Sequence, residues 1–268
     1  MKSALLTSLL SCALISSLPA QAADTWTPGA GWTLAWADEF NGTGLDLNNW
    51  TFDLGGGGWG NNESQVYTSD PANVAVSGGN LVITAIKNKN KYTSARIKTQ
   101  GRHSWTYGKV AARIKLPYGQ GIWPAFWMLG DNITSVGWPK CGEMDILEMI
   151  GGGENRDDTM YGTLHWDANN SHAQYGSPPY ELPDPQFFYQ DFHVFEAEWL
   201  PLEVIWKLDG VEFFRTSIDT ALWPTMDEFH HPFFMILNVA VGGNWPGYPN
   251  RTTVFPQRMY VDWVRVYQ

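Results

Sequence analysis

Apolar and polar positions along this chain alternate with a period of two in segment after segment. No long stretch repeats every three to four residues, so the pattern predicts strands. Val110, Ala112, Ile114 and Leu116 alternate with Ala111, Arg113 and Lys115, which predicts a half-buried strand. Residues 73–77 and 81–85 flank Gly78-Gly79, and residues 203–208 and 211–214 flank Asp209-Gly210; both read as hairpins closed by two-residue turns. Phe233 to Val241 is apolar on both faces apart from Asn238 and is expected at the centre of a sheet, with Tyr260 to Tyr267 as the closing strand. Helix candidates are confined to residues 185–189 and 218–222, the latter stopped by Pro224. Many short strands and few helices predict an all-β fold, a sandwich of two antiparallel sheets.

One apolar stretch near the middle carries three acids: Gly142-Glu143-Met144-Asp145-Ile146-Leu147-Glu148-Met149. On a helix, at about 100° per residue, the acids would scatter around the axis. On a strand, Glu143 and Asp145 share a face while Met144 and Ile146 point into a core, and Glu148 has the wrong parity. One extra residue, a β-bulge around Ile146-Leu147, would return Glu148 to the acidic face. The two glutamates would then stand about four strand steps apart, roughly 13 Å between Cα atoms, a gap that two leaning side chains can largely close. Carboxyls about 5–5.5 Å apart mark a retaining glycosidase. Crowding should also raise at least one carboxyl pKa, which keeps an acid protonated near neutral pH. The competing reading is an amphipathic strand with a solvated acidic face.

The amino terminus has the three parts of a secretory signal: Met1-Lys2, an apolar run from Ala4 to Leu18, and Ala20-Gln21-Ala22 as a cleavage site. Export is therefore expected, with residues 1–22 removed and residues 23–268 forming a single domain free of repeats and linkers. A lipoprotein anchored through Cys12 is the alternative. Removal of the leader leaves Cys141 as the sole cysteine, so no internal disulfide can form, and Cys141 reads as a buried structural thiol. No other stretch is long enough to span a membrane.

Fifteen Trp, eleven Tyr and thirteen Phe exceed what a core of this size needs, and flat aromatic faces stack on sugar rings. A net charge of −10 disfavours nucleic acid and sulfated polymers, so a neutral polysaccharide is the expected partner. The six histidines show no zinc spacing, no G-x-S-x-G elbow is present, and the runs Gly55–Gly58 and Gly151–Gly153 lack the Lys-Ser or Lys-Thr of a phosphate loop. The first glycine run reads as backbone at a cleft rim or as a plain flexible loop.

The stretch from Glu143 to Glu148 resembles the E-x-D-x-x-E motif of glycoside hydrolase family 16, in the bulged form of its laminarinases. Trp59-Gly60-Asn61-Asn62-Glu63, Gly121-Ile122-Trp123-Pro124-Ala125-Phe126-Trp127-Met128 and Gly162-Thr163-Leu164-His165-Trp166 extend the resemblance along most of the chain. It implies a concanavalin A-like β-jelly roll with a concave substrate cleft. It also implies Glu143 as nucleophile, Asp145 as assistant and Glu148 as acid/base, in an exported endo-1,3-β-glucanase that also accepts mixed 1,3-1,4 glucans. Asn61, Arg96, Trp123, Trp127, Trp138, His165 and Trp245 match positions that line the cleft, although each Trp could be core and His165 purely structural. No catalytic cofactor is implied, while a structural Ca²⁺ is, held by Asp262 and by carbonyls of Glu39 and Gly79. A monomer is expected. The alternatives are a relative acting on agar or carrageenan and a non-catalytic glucan-binding protein on the same fold.

Overall fold

The computed structural model describes residues 25–153 and 155–268; the leader and Cys12 lie outside the described residues. Two sheets face each other across the core. The cleft sheet has eight strands, and its main path runs His172–Gly176, Thr159–Asp167, Glu143–Glu148, Ile122–Gly130, Phe233–Val241, Arg96–Lys98 and Thr51–Asp53. The outer sheet has ten, with Gly108–Lys115 and Gln257–Tyr267 at its middle. Among the described residues all strand pairings are antiparallel except one, Gln65–Tyr67 beside Lys91–Ser94, which run parallel. The main core cluster draws on both sheets and runs in sequence from Phe40 to Val266.

Two strands of the cleft sheet, Ile122–Gly130 and Thr159–Asp167, keep regular alternation. Ile122, Phe126 and Met128 enter the core while Trp123, Ala125, Trp127 and Leu129 face outward, and Met160, Leu164 and Trp166 enter it while Tyr161, Thr163 and His165 do not. Phe233–Val241 is fully buried between two neighbours, as its sequence predicts, and Asn238 is its one polar position. The Asp209-Gly210 hairpin forms with positive φ at both turn residues (51° and 80°), the requirement of a type I′ turn.

Two expectations need correction. The strand Gly108–Lys115 is buried on both faces up to its last residue. Its outward cations are covered because Lys109 bonds Glu198 (2.9 Å) beneath Trp26 and Trp32, and Arg113 bonds Asp262 (2.7 Å) beneath Phe192. Each buried charge is paired, which makes the burial tolerable. The helix candidates at 185–189 and 218–222 form only turns. Five residues are too few to repay helix nucleation, and the Asp219 carboxylate takes the Ala221 N–H in a local turn instead. The short helices are Ile133–Val136 and a 3₁₀ turn at Asp227–His230. Among the described residues no helix is long and apolar enough to cross a membrane.

Candidate active site

The strand Glu143–Glu148 pairs on both sides, and both pairings slip at the same place. Asp145 faces Trp127 and Leu147 faces Phe126, leaving Ile146 as the extra residue. Glu143 lies opposite Leu129 and His165, and Glu148 opposite Ala125 and Tyr161, so six residues of this strand span five positions of either neighbour. The bulge restores Glu148 to the face of Glu143 and Asp145. The Asp145 carbonyl, displaced from the ladder, accepts a bond from Trp206 Nε1 (2.8 Å), which reaches across the core from the outer sheet. Gly162 makes room for that indole: a Cβ there would stand 2.5 Å from Trp206 Cδ1.

All ten residues expected in catalysis and substrate binding line one cleft of about 780 Å³. At its floor, Glu143 Oε2 accepts from Trp138 Nε1 (2.8 Å) and Glu148 Oε1 from Trp123 Nε1 (3.0 Å). His165 Nε2 stands 3.2 Å from Asp145 Oδ2 and 3.9 Å from Glu143 Oε1, so His165 belongs to the acid cluster itself. Arg96 is ion-paired to Asp53 (2.9 Å), and its guanidinium lies between the rings of Trp59 and Trp127. One face of Trp127 is therefore occupied by Arg96, and less of that ring is open to a sugar than the sequence implies. Asn61 borders the same wall with its amide 3.5 Å from Glu63. Trp245 meets Trp123 and Tyr161 edge to face at the other end.

Burial dominates the electrostatics. Desolvation, then the charge of Asp145, push Glu143 up to about 8, against the pull of His165, Trp138 and Arg96. Asp145, 2% exposed, is likewise raised to about 8 by desolvation. Glu148 is raised well above the ordinary range, first by desolvation and then by the charges of Asp145 and Glu143. Glu143 has the stronger help from its neighbours, so it is suited to ionise first while Glu148 keeps its proton. A hollow of about 810 Å³ on the other side, around Trp26 and Phe192, has only exposed acids, Asp191 and Asp209.

Several lining residues escaped the sequence reading. Tyr161 and Thr163 share the parity of His165 and could have been found by counting outward in twos. Glu63, Tyr67 and Asn238 form a relay: Tyr67 Oη donates to Glu63 (3.4 Å), Asn238 Nδ2 to Tyr67 (3.1 Å) and Trp127 Nε1 to Asn238 (2.7 Å). Tyr67, Asn238 and Trp127 lie on separate strands and Glu63 in the loop before the first of them, so no sequence spacing announces the whole relay. His172, bonded to His165 Nδ1 (2.9 Å), was also missed. The Gly55 run belongs to the cleft rim, since the Gly55 carbonyl accepts from Trp59 Nε1 (3.2 Å). Cys141 is buried with Leu129, Phe234 and Ile236, and burial pushes its thiol up to about 11, which makes it inert.

The three residues expected to hold a cation lie outside the cleft. Asp262 is the extra residue of a bulge between Val261 and Trp263, with Leu81 facing Val261 and Asp38 facing Val264. Gly79 lies two residues before Leu81 and Glu39 one after Asp38, so both segments run alongside the strand that carries Asp262. The Glu39 carboxylate is taken by Arg265 (2.7 Å) and Asp262 Oδ2 by Arg113, so an oxygen-ligated ion would depend on carbonyls and the second oxygen of Asp262.

A family model described as glycosyl hydrolases family 16 matches residues 61–265. A beta-glucanase of Rhodothermus marinus is 39% identical over 98% of this chain and 93% of its own length. The clotting factor G alpha subunit of Tachypleus tridentatus is 40% identical over 88% of this chain, which spans only 34% of that longer protein. The crystal structure of the laminarinase catalytic domain from Thermotoga maritima superposes with a TM-score of 0.80 at 46% identity, covering 88% of this chain and 98% of that one.

The raised carboxyls make a stability prediction. A group whose folded pKa lies above its unfolded value contributes stability that is complete below the unfolded pKa and is lost as pH rises through the folded one. For Glu143 that window runs from about 4.5 to about 8. Glu143→Gln should therefore gain on the native protein as pH rises across it, by about 1–2 kcal/mol or roughly 3–6 °C at pH 8. Thermal melts of both proteins at pH 4.5 and pH 8 check this, and a difference that fails to widen contradicts it.

Proposed function

The chain belongs to family 16 of the glycosyl hydrolases, and from that premise we propose that it is an endo-1,3-β-glucanase acting on laminarin-like polymers by retaining double displacement, with mixed 1,3-1,4 glucans as secondary substrates. The observation that carries this reading is the bulge at Ile146, which presents two desolvated glutamates on one face of one strand. A neutral substrate suits the cleft, whose carboxyls would repel sulfate.

In this reading Trp138 fixes one oxygen of Glu143 and leaves Oε1 for attack on the anomeric carbon. Trp123 fixes Oε1 of Glu148 and leaves the other oxygen to deliver its proton to the departing glycosidic oxygen. The glycosyl-enzyme ester then breaks when water, deprotonated by Glu148, attacks the same carbon from the opposite side. His165 draws Glu143 toward its ionised form before attack and again as the ester breaks, and Asp145, 3.2 Å from His165 Nε2, holds that ring beside it. Two inversions leave the β configuration intact.

Proton NMR of the first products from laminarin should show the β anomer ahead of mutarotation; an initial α anomer would rule out the roles of both glutamates. Glu143→Ala should reduce turnover by at least about 10⁴-fold on every substrate. Glu148→Ala should largely spare the first step on an aryl glucoside with a good leaving group, because departure then needs little protonation. Asp145→Asn should fall between them. Release of reducing sugar from laminarin, compared with lichenan, agarose and carrageenan, separates this reading from its relatives and from a binding protein.

We also propose a structural Ca²⁺ between the main chains of Glu39, Gly79 and Asp262, supported by the register around the Asp262 bulge. Chelation should lower the melting temperature and added calcium should restore it, as binding to the folded state stabilises by mass action; an unchanged melt dismisses the ion. Export is proposed from the leader pattern. Intact mass of protein collected outside the cell should correspond to a chain beginning at Ala23, and a mass retaining residues 1–22 refutes that.

A further inference from the structure

The acid cluster contains an arrangement that hydrolysis does not require. We propose that Glu143 Oε1, Asp145 Oδ2 and His165 Nε2 form an inhibitory site for one divalent cation of the zinc class, open to the cleft on its fourth side. The inhibitory half of this proposal rests on Glu143 being the nucleophile; the binding half does not.

The geometry comes first. The three ligand atoms lie within 4.8 Å of one another, with His165 3.2 Å from Asp145 and 3.9 Å from Glu143. Ligands at about 2.0–2.2 Å on a tetrahedral ion stand roughly 3.4 Å apart, so a single zinc fits between them with little movement. Asp145 Oδ2 supplies an independent sign: the side chain is 2% exposed, and this oxygen is fully enclosed with no hydrogen-bond partner. A buried carboxylate oxygen without a donor is a costly feature unless a positive charge meets it.

The surroundings are those of a metal-ligating histidine. His165 Nδ1 bonds His172 Nε2 at 2.9 Å, which can fix the tautomer that leaves the Nε2 lone pair directed at the carboxylates. Trp138 packs on His172 with ring centroids 4.6 Å apart and holds the other oxygen of Glu143, so Oε1 remains available. One nitrogen, two carboxylates and an open position match zinc, whereas calcium and magnesium ask for six or more oxygens. Two other histidines, His193 with Asp209 (2.7 Å) and His231 with Asp227 (3.3 Å), each meet a single acid at the surface and provide controls. A bound ion would hold the electron pair with which Glu143 attacks and would fill the space beneath the reacting sugar.

Isothermal titration of metal-free full-length protein with zinc chloride tests the site, with magnesium chloride as the contrasting ion. One zinc per chain is expected, with magnesium not competing. His165→Gln and Asp145→Asn should each raise the zinc dissociation constant at least tenfold, and His172→Ala about tenfold through the lost hydrogen bond. His193→Gln should leave it unchanged. Melting curves identify any variant that fails to fold, and either of the first two suffices alone. Cobalt chloride should give the intense visible bands of a tetrahedral ion in the native protein and lose them in His165→Gln. Absence of zinc binding, or binding that survives both His165→Gln and Asp145→Asn, overturns the site. Laminarin hydrolysis should fall in step with occupancy. Zinc bound at this site without loss of hydrolysis overturns the inhibitory half and removes Glu143 as nucleophile, whereas metal-free protein inert on laminarin counts against the functional reading alone.

Discussion

The structure turns on one broken parity. A regular strand cannot show residues 143, 145 and 148 on one face, and the extra residue at Ile146 is what brings Glu148 into the cleft. Inserting a residue has a consequence, because it takes the Asp145 carbonyl out of the ladder, and a buried carbonyl must find another donor. Trp206 provides it from the opposite sheet, and Gly162 exists as glycine where any side chain would exclude that indole. The active strand is therefore shaped from behind, by the sandwich core, as much as by its two strand neighbours. The packing of the sheets and the spacing of the acids are one requirement.

Burial of three acids works against folding, and the surroundings compensate locally. Trp138 and Trp123 each give one hydrogen bond to a glutamate, His165 faces Asp145, and the Arg96–Asp53 pair sits three and four strands along the same sheet. The remainder of the cost is carried by the core beneath, where Met144, Ile146 and Leu147 are almost wholly enclosed. Functional sites commonly hold such strain against a stable scaffold.

Much of this was legible in the sequence, and the misses share a cause. The acid motif gave its own bulge, since Glu148 falls out of step by one residue. The hairpins at Gly78-Gly79 and Asp209-Gly210 followed from turn chemistry. Failure came where a residue's environment is set by a distant segment. Arg113 and Lys115 looked like an exposed face because the alternation of their own strand cannot show Trp26, Trp32 and Phe192 folding over it. The relay from Glu63 through Tyr67 and Asn238 to Trp127 joins residues up to 171 positions apart along the chain. Trp206 was likewise one indole among fifteen until the fold placed it behind the acids.

The choice of donor at the two glutamates links recognition to chemistry. An indole N–H is neutral and does not titrate, so it holds a carboxyl oxygen in place while favouring the ionised form less than a cationic donor would. A lysine or arginine in the same position would hold Glu148 ionised, which the role of acid proposed for it does not allow. Each indole also forms part of the cleft wall, and Trp138 is 48% exposed. A sugar ring that stacks on such a wall presses on the same side chain that holds a glutamate oxygen. Binding can then be used where the barrier is, because a correctly seated substrate fixes the carboxyl geometry that a poorly seated one leaves loose. Trp127, clamped by Asn238 and Arg96, lacks that freedom and serves as fixed framework instead.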